Sequence, residues 1–122
     1  MSRSWLLYLD DLIASAEKIE RMTQGRSLEQ LVSDEAISDA ALFNLQVIGE
    51  AVNKLPDEAR VLFTEAHRSA PARLRDLIAH HYFALDPDIV WEVACRHIPA
   101  LLGEAKILRL RMDGSITPTD PK

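Results

Sequence analysis

Hydrophobic residues recur along most of the chain at intervals of three and four, which places them on one face of an α-helix. The pattern predicts a first helix over about residues 4–23, ended before Gly25. SLEQLVSD (27–34) predicts a short second helix that begins with a capping box. A long third helix is predicted over about residues 34–55, and Pro56 ends it.

In the second half of the chain, the pattern predicts shorter helices and then the start of one further long helix. Residues 57–66 can form one short helix, and HRSAP (67–71) is predicted to be a loop. PARLRDLIAHHY (71–82) has helical spacing again. Asp86 and Pro87 then suit the cap and the first position of the last helix.

The last helix keeps its apolar spacing to about Leu108, and Pro99 is predicted to kink it. Cys95 lies on the apolar stripe, so it is predicted to be a small buried hydrophobic residue rather than a nucleophile. The tail over residues 113–122 has no periodicity and is expected to be disordered. Residues 1–112 are therefore predicted to be a single domain.

These elements predict an all-α fold, an antiparallel four-helix bundle with one or two extra short helices. Gly49 in the middle of the third helix predicts a close approach by a neighbouring helix. Phe43 and Val47 fall off the main apolar face of that helix and form a second stripe with Ala36, Ala40 and Ala51. A helix with two stripes is typically central or lies at an oligomer interface.

Composition is that of an ordinary globular protein, with 48% hydrophobic and 27% charged residues in 122. Asp10 and Asp11 interrupt the apolar N-terminal segment, so neither a signal peptide nor a membrane span is expected. A single cysteine fits a reducing compartment. We therefore expect a cytoplasmic protein with no membrane partner.

The formal net charge is −5, which disfavours binding to a long polyanion. Positive charge is nevertheless concentrated over residues 60–82, where four arginines and three histidines face only Glu65 and Asp76. This local patch suits a localised phosphate contact better than a long nucleic-acid track. From charge alone, a merely solvated face is an equally good interpretation.

On a helical wheel of residues 71–82, the polar residues Arg75, Asp76, His80 and Tyr82 share one arc. Asp76 and His80 are four apart, so the carboxylate can hold the imidazole. Arg75 and Tyr82 are seven apart and are expected to lie on one stripe. The polar arc is our candidate site.

On the same wheel Leu74, Leu77 and Ile78 form the apolar arc. His81 points into this arc and is predicted to be a packed, structural histidine. His67 and His97 have no partner at metal-ligand spacing, and no metal site is predicted.

The polar arc has the groups needed to cleave RNA without a metal. A histidine can take the proton of a ribose 2′-OH or protonate the leaving oxygen, and an arginine can stabilise charge on the phosphate. Asp76 could fix the tautomer of His80, and Tyr82 could contact phosphate or stack on a base. A surface hydrogen bond and an Arg–Tyr packing pair remain the alternative interpretation. A site on one helix is also open, so a two-fold partner would supply a second wall.

Arg75-x-x-x-x-His80-x-Tyr82 resembles the Arg-x4-His-x-Tyr signature of HepT-like toxins in the HEPN ribonuclease superfamily. IGEAVNKLP (48–56) resembles the third-helix motif of that family. Residues 82–101 resemble its segment after the signature. The resemblance covers about residues 35–105.

The resemblance implies a HEPN-like bundle that dimerises with its signature helices facing each other. It implies the toxin of a type II toxin-antitoxin system, a metal-independent endoribonuclease without a cofactor, with Arg75 and His80 catalytic. Asp76 and Tyr82 would support the site, Asp76 standing where relatives often have Asn. The implied partner is a MntA-like nucleotidyltransferase antitoxin, which would modify Tyr82 with AMP.

Two other functions are compatible with the residues. One is a non-catalytic HEPN module that binds a nucleotide or a nucleotidyltransferase partner, and the acidic net charge and Asp76 favour it. The other is a helical scaffold whose polar arc forms only a dimer contact.

Overall fold

The computed structural model describes residues 4–116. In this range the chain is helical and contains no strand. The α-helices are α1 (Trp5–Thr23), α2 (Leu28–Ser33), α3 (Glu35–Lys54), α4 (Asp57–Arg60), α5 (Glu65–His81), α6 (Pro87–Glu92) and α7 (Ile98–Ile116). A 3₁₀ turn, Tyr82–Ala84, follows α5, and a π-helical segment, Val93–His97, joins α6 to α7 without a break.

Four long helical segments form the bundle: α1, α3, α5, and α6 continued through the π segment into α7. Helix α1 packs against α3 and α7, and α3 packs against α5. Two ion pairs show that α1 and α7 are antiparallel, Asp10 with Arg109 at 2.8 Å and Glu17 with Lys106 at 3.4 Å. The predicted antiparallel bundle with two extra short helices is confirmed.

The core consists of the apolar stripes that the spacing predicts. Helix α1 buries Leu9, Leu12, Ala16 and Ile19, whereas Trp5 is partly buried. The buried apolar residues of α3 are Ala41, Leu45, Ile48, Ala51 and Val52. In contrast, Phe43 of the second stripe is 65% exposed.

Local capping fixes the helix starts in the first half of the chain, and the predicted capping box on α2 is confirmed. The Ser4 side chain accepts from Leu6 N–H at 3.3 Å at the start of α1. Ser27 and Gln30 form a reciprocal capping box on α2. The Asp34 side chain caps α3. These caps use backbone donors that would otherwise lack a partner.

The predicted boundaries between residues 57 and 71 are wrong. Helix α4 ends at Arg60, and the expected loop HRSAP belongs to α5, which continues through Pro71. The start of α5 is stabilised by hydrogen bonds to Glu104, a residue of α7. Both oxygens of the Glu104 carboxylate accept from Thr64 N–H, each at 3.2 Å, and the Thr64 hydroxyl donates to Glu104 at 2.6 Å. Tertiary contacts therefore outweigh the cost of about 3 kcal/mol for a proline inside a helix.

Gly49 allows α3 and α5 to approach closely, which confirms that prediction. A Cβ atom at Gly49 would lie 2.5 Å from the carbonyl oxygen of Pro71 and 2.6 Å from Cβ of Arg75. Pro71 is buried in this contact. The absence of a side chain at one position of α3 thus sets the position of α5.

The last helix starts as predicted, with the Asp86 side chain as cap and Pro87 at the first turn. The irregularity expected at Pro99 takes the form of the π segment just before it, where Ile98 N–H donates to Val93 O. Cys95 lies within this wider turn and is exposed, so its predicted burial is wrong. The regular wheel no longer applies there because a π turn contains more residues per turn.

Helix α7 continues to Ile116, beyond the predicted domain end at residue 112. An ion pair one turn apart, Arg109 with Asp113 at 2.7 Å, stabilises this extension. The rest of the predicted tail, residues 117–122, lies outside the described residues. None of the helices within residues 4–116 has the length and hydrophobicity of a membrane-spanning segment.

Candidate active site

Helix α5 presents the candidate site because its two faces differ. Leu74 and Ile78 of the predicted apolar arc are buried against the bundle, whereas Leu77, the third residue of that arc, is 38% exposed. The other face lines an open cleft of about 370 Å³ formed by Arg73, Asp76, Leu77, His80 and His81. We call this the His80 cleft. It brings together two of the predicted site residues, Asp76 and His80.

Arg75 lies beside the His80 cleft rather than in its lining. Its side chain is about one third exposed, and its Nη1 donates to Oδ1 of Asp76 at 3.4 Å. Five residues along a helix correspond to about 140° around its axis, so Arg75 and His80 point apart on one copy of α5. The predicted Asp76–His80 hydrogen bond is not formed; the contact of Asp76 is with Arg75.

His81 is exposed and lines the cleft, so its predicted role as a packed core residue is wrong. The backbone leaves the helix at this residue, where φ is −138° and ψ is 40°. The wheel positions predicted from residue 71 onward therefore no longer hold at the end of α5.

Tyr82 is also turned away from the stripe predicted for it with Arg75. It begins the 3₁₀ turn and lines a separate, mostly apolar pocket of about 200 Å³ between α2, α3 and α6. Its hydroxyl donates to Oδ1 of Asp39 at 3.3 Å. The negative charge of Asp39 and this hydrogen bond raise the pKa of Tyr82, with burial and Glu35 adding to the effect.

A larger groove of about 520 Å³ adjoins the His80 cleft along α3, α4 and α5. Its polar lining includes Asn53, Arg60, Arg68, Arg73 and Asp76. We call it the arginine groove. Arg73 and Asp76 line both depressions, so the two form one continuous surface.

The structure also brings into contact two histidines for which the sequence predicts no partner. His67 of α5 and His97 of the π segment approach with their Nδ1 atoms 3.0 Å apart, so one ring donates and the other accepts. Burial lowers the pKa of His97, and nearby His67 and Arg96 lower it further. Apolar spacing carries no signal for such a contact between distant residues.

Metal-ligating residues do not cluster in the part of the chain that the structure describes: it contains no group of three or more His, Cys, Asp or Glu side chains able to hold a metal ion. The chemistry available in the His80 cleft is that of imidazole, guanidinium and carboxylate groups.

Comparison with known proteins places the chain in a family. A family model described as ribonuclease HepT-like matches residues 12–108, which include α5 and both of its depressions. The chain belongs to the ribonuclease HepT-like family. Arg75, His80 and Tyr82 all lie within the matched region.

Curated relatives of this HepT-like chain include archaeal and bacterial proteins. It is 33% identical over 109 residues to "Probable ribonuclease HepT" of Thermococcus cleftensis, covering 89% of this chain and 99% of the relative. It is 34% identical over 103 residues to a protein of Caldanaerobacter subterraneus subsp. tengcongensis named a "Putative RNase", covering 81% and 88%. No solved structure gives a significant match.

Proposed function

We propose that this HepT-like protein is a metal-independent endoribonuclease that cleaves RNA in the His80 cleft. The observation that carries the proposal is the exposed His80 imidazole in an open cleft with Arg73 and Asp76. His80 takes the proton of a ribose 2′-OH, the 2′-oxygen bonds to phosphorus, and the bond to the 5′-oxygen breaks. The leaving oxygen takes up a proton, which yields a 2′,3′-cyclic phosphate and a 5′-OH end.

Arg75 would stabilise the negative charge that grows on the phosphate oxygens. Because it points away from His80 on a single α5, we propose that the site is completed in a homodimer. Exposed aromatic side chains support this arrangement, since Phe83 is fully exposed after α5 and Phe43 is 65% exposed on α3. Asp76, which accepts from Arg75, would hold the guanidinium in place.

We further propose that the protein is the cytoplasmic toxin of a type II toxin-antitoxin system, neutralised by a MntA-like nucleotidyltransferase antitoxin. Tyr82 suits modification with AMP because it is 45% exposed. The added phosphate would bring negative charge beside Asp39, which now accepts the hydroxyl of Tyr82. The modified segment would leave its pocket and obstruct the dimer cleft.

The test is cleavage of single-stranded RNA by the purified protein, after mass spectrometry has shown Tyr82 to be unmodified. His80→Ala should lower the rate by about 10²- to 10⁴-fold, Arg75→Ala should lower it strongly, and EDTA should have no effect. His81→Ala is the matched comparison, because His81 is the adjacent exposed histidine, and its loss should be smaller. Equal losses at both positions would contradict the assignment of His80.

A non-catalytic module is the second candidate, favoured by the Asp76 carboxylate, which faces the cleft and would repel a phosphate. It predicts that the unmodified protein binds a nucleotide or its nucleotidyltransferase without cutting RNA. Binding that survives His80→Ala, together with intact RNA, would support this alternative.

A further inference from the structure

The arginine groove extends beyond the His80 cleft, and the catalytic proposal gives no role to the part of it that Arg60 and Arg68 line. It lies between the C-terminal part of α3, helix α4 and the first half of α5. Arg60 enters from α4, whereas Arg68 and Arg73 enter from α5. The helix that carries His80 therefore also forms one wall of this groove.

The arginines of the groove differ in whether they form an ion pair with a carboxylate. Arg60 pairs with Asp57 and reaches the carbonyl oxygen of Asn53 at 3.5 Å. Arg68 and Arg73 form no ion pair with any described residue. The Nε atom of Arg68 is buried without a hydrogen-bond partner among those residues. An unpaired guanidinium is suited to a phosphate, whose oxygens match its planar fork.

The positive charge of the groove contrasts with the negative net charge of the whole protein. The chain has a formal net charge of −5, yet the groove contains three arginines against the carboxylates of Asp57 and Asp76. Asp57 is already engaged by Arg60, and Asp76 by Arg75. Arg68 and Arg73 therefore provide two free positive charges in a recess of about 520 Å³.

The geometry along α5 gives the length of the ligand. The twelve residues from Arg68 to His80 span about 18 Å at a rise of about 1.5 Å per residue. A nucleic-acid strand with stacked bases rises about 3.4 Å per nucleotide, so this distance corresponds to about five nucleotides. Arg73 lines both the groove and the cleft, so a strand can pass from one to the other without leaving the surface.

We propose that the arginine groove binds the phosphates of the RNA strand next to the cleavage point, with Arg68 and Arg73 as the phosphate ligands. This proposal rests on the ribonuclease function proposed above and adds a substrate-binding subsite to it. Only a few phosphates are bound, so affinity should depend on salt weakly but measurably. Each arginine that contacts a phosphate contributes about 0.7 to the slope of log affinity against log salt concentration.

The experiment measures binding of a fluorescein-labelled 2′-O-methyl RNA octanucleotide to the full-length protein by anisotropy, over a series of KCl concentrations. This probe lacks the attacking 2′-OH, so binding is measured independently of cleavage. Arg68→Ala and Arg73→Ala should each weaken binding several-fold and reduce the salt slope by about 0.7. Arg21→Ala is the matched control, since it removes an exposed arginine of α1 that does not line the groove, and should change neither quantity.

Length dependence gives a second measurement. A 2′-O-methyl dinucleotide cannot span both depressions, so Arg68→Ala should weaken its binding less than that of the octanucleotide. Arg68→Lys should restore the salt slope because it restores the charge. If Arg68→Ala loses its helical circular dichroism, Arg73→Ala decides the result, because Arg73 is exposed on α5.

Equal affinities and salt slopes in Arg68→Ala, Arg73→Ala and Arg21→Ala would overturn the subsite, even if the wild-type protein cuts RNA. Absence of octanucleotide binding by the wild-type protein would overturn it as well. Binding that depends on the groove arginines, in a protein that does not cut RNA, would leave the groove as an RNA-binding surface but reject both the catalytic proposal and the role of the groove as a substrate subsite.

Discussion

Gly49→Ala is expected to leave the stability of the protein unchanged or to lower it, although alanine is the better helix former. In an open helix, replacing glycine by alanine stabilises by about 1 kcal/mol. At Gly49 the new Cβ would lie 2.5 Å from the backbone oxygen of Pro71 and 2.6 Å from Cβ of Arg75. Neither atom is the flexible end of a side chain, so the whole of α5 must move away from α3.

The expected size follows from the two opposing effects. Forcing a methyl group into a packed interface costs about 1–3 kcal/mol, which cancels or exceeds the gain in helix propensity. The net change should lie between no effect and a loss of about 2 kcal/mol. For 122 residues, an unfolding entropy of about 2.1 cal/mol/K per residue makes 1 kcal/mol equal to about 4 °C in Tm.

Gly103→Ala is the matched control. Gly103 lies inside α7, and a Cβ atom there would meet nothing within 4 Å. Its substitution should raise Tm by about 4 °C, because only helix propensity changes. Thermal and urea unfolding, followed by circular dichroism, would compare the two variants. An equal rise in Tm for both would refute the close packing of α3 on α5.

Three other predictions concern titratable groups. The pKa of His97 is lowered in the folded protein, so its contribution to stability is fully present above the ordinary value near 6.5 and is lost as pH falls through the lower folded pKa. Urea unfolding midpoints measured from pH 8 to 5 should show this loss of stability, and the loss should be smaller in His67→Ala. Asp39→Asn should lower the pKa of Tyr82, measured by ultraviolet titration of the phenolate, because the charge that raises it is removed. Partial burial raises the pKa of the Cys95 thiol, so alkylation by iodoacetamide should be slow at neutral pH although Cys95 is exposed.

The sequence predicts the fold well wherever local signals decide the structure. Ser27 with Gln30 identifies the start of α2, and Asp86 with Pro87 identifies the start of α6. The glycine in α3 correctly indicates a close helix contact. Caps and apolar spacing act within a few residues, so a single sequence is enough to recognise them.

Predictions failed where distant residues decide the structure. The proline in HRSAP suggests a loop, yet the packing of Pro71 on α3 keeps α5 helical. The π segment removes Cys95 from the apolar face on which a regular wheel places it. The early end of α5 has the same effect on His81 and Tyr82, so only part of the predicted polar arc forms one site.

The hydrogen bonds between Thr64 and Glu104 affect the order in which the chain can fold. Helix α5 has no cap from its own neighbouring side chains, and the groups that hold its first turn are 40 residues apart in the chain. A helix of 17 residues that contains a proline is unstable in isolation. The segment that carries His80 should therefore become ordered only when α7 docks, so a growing chain would acquire its candidate active site late.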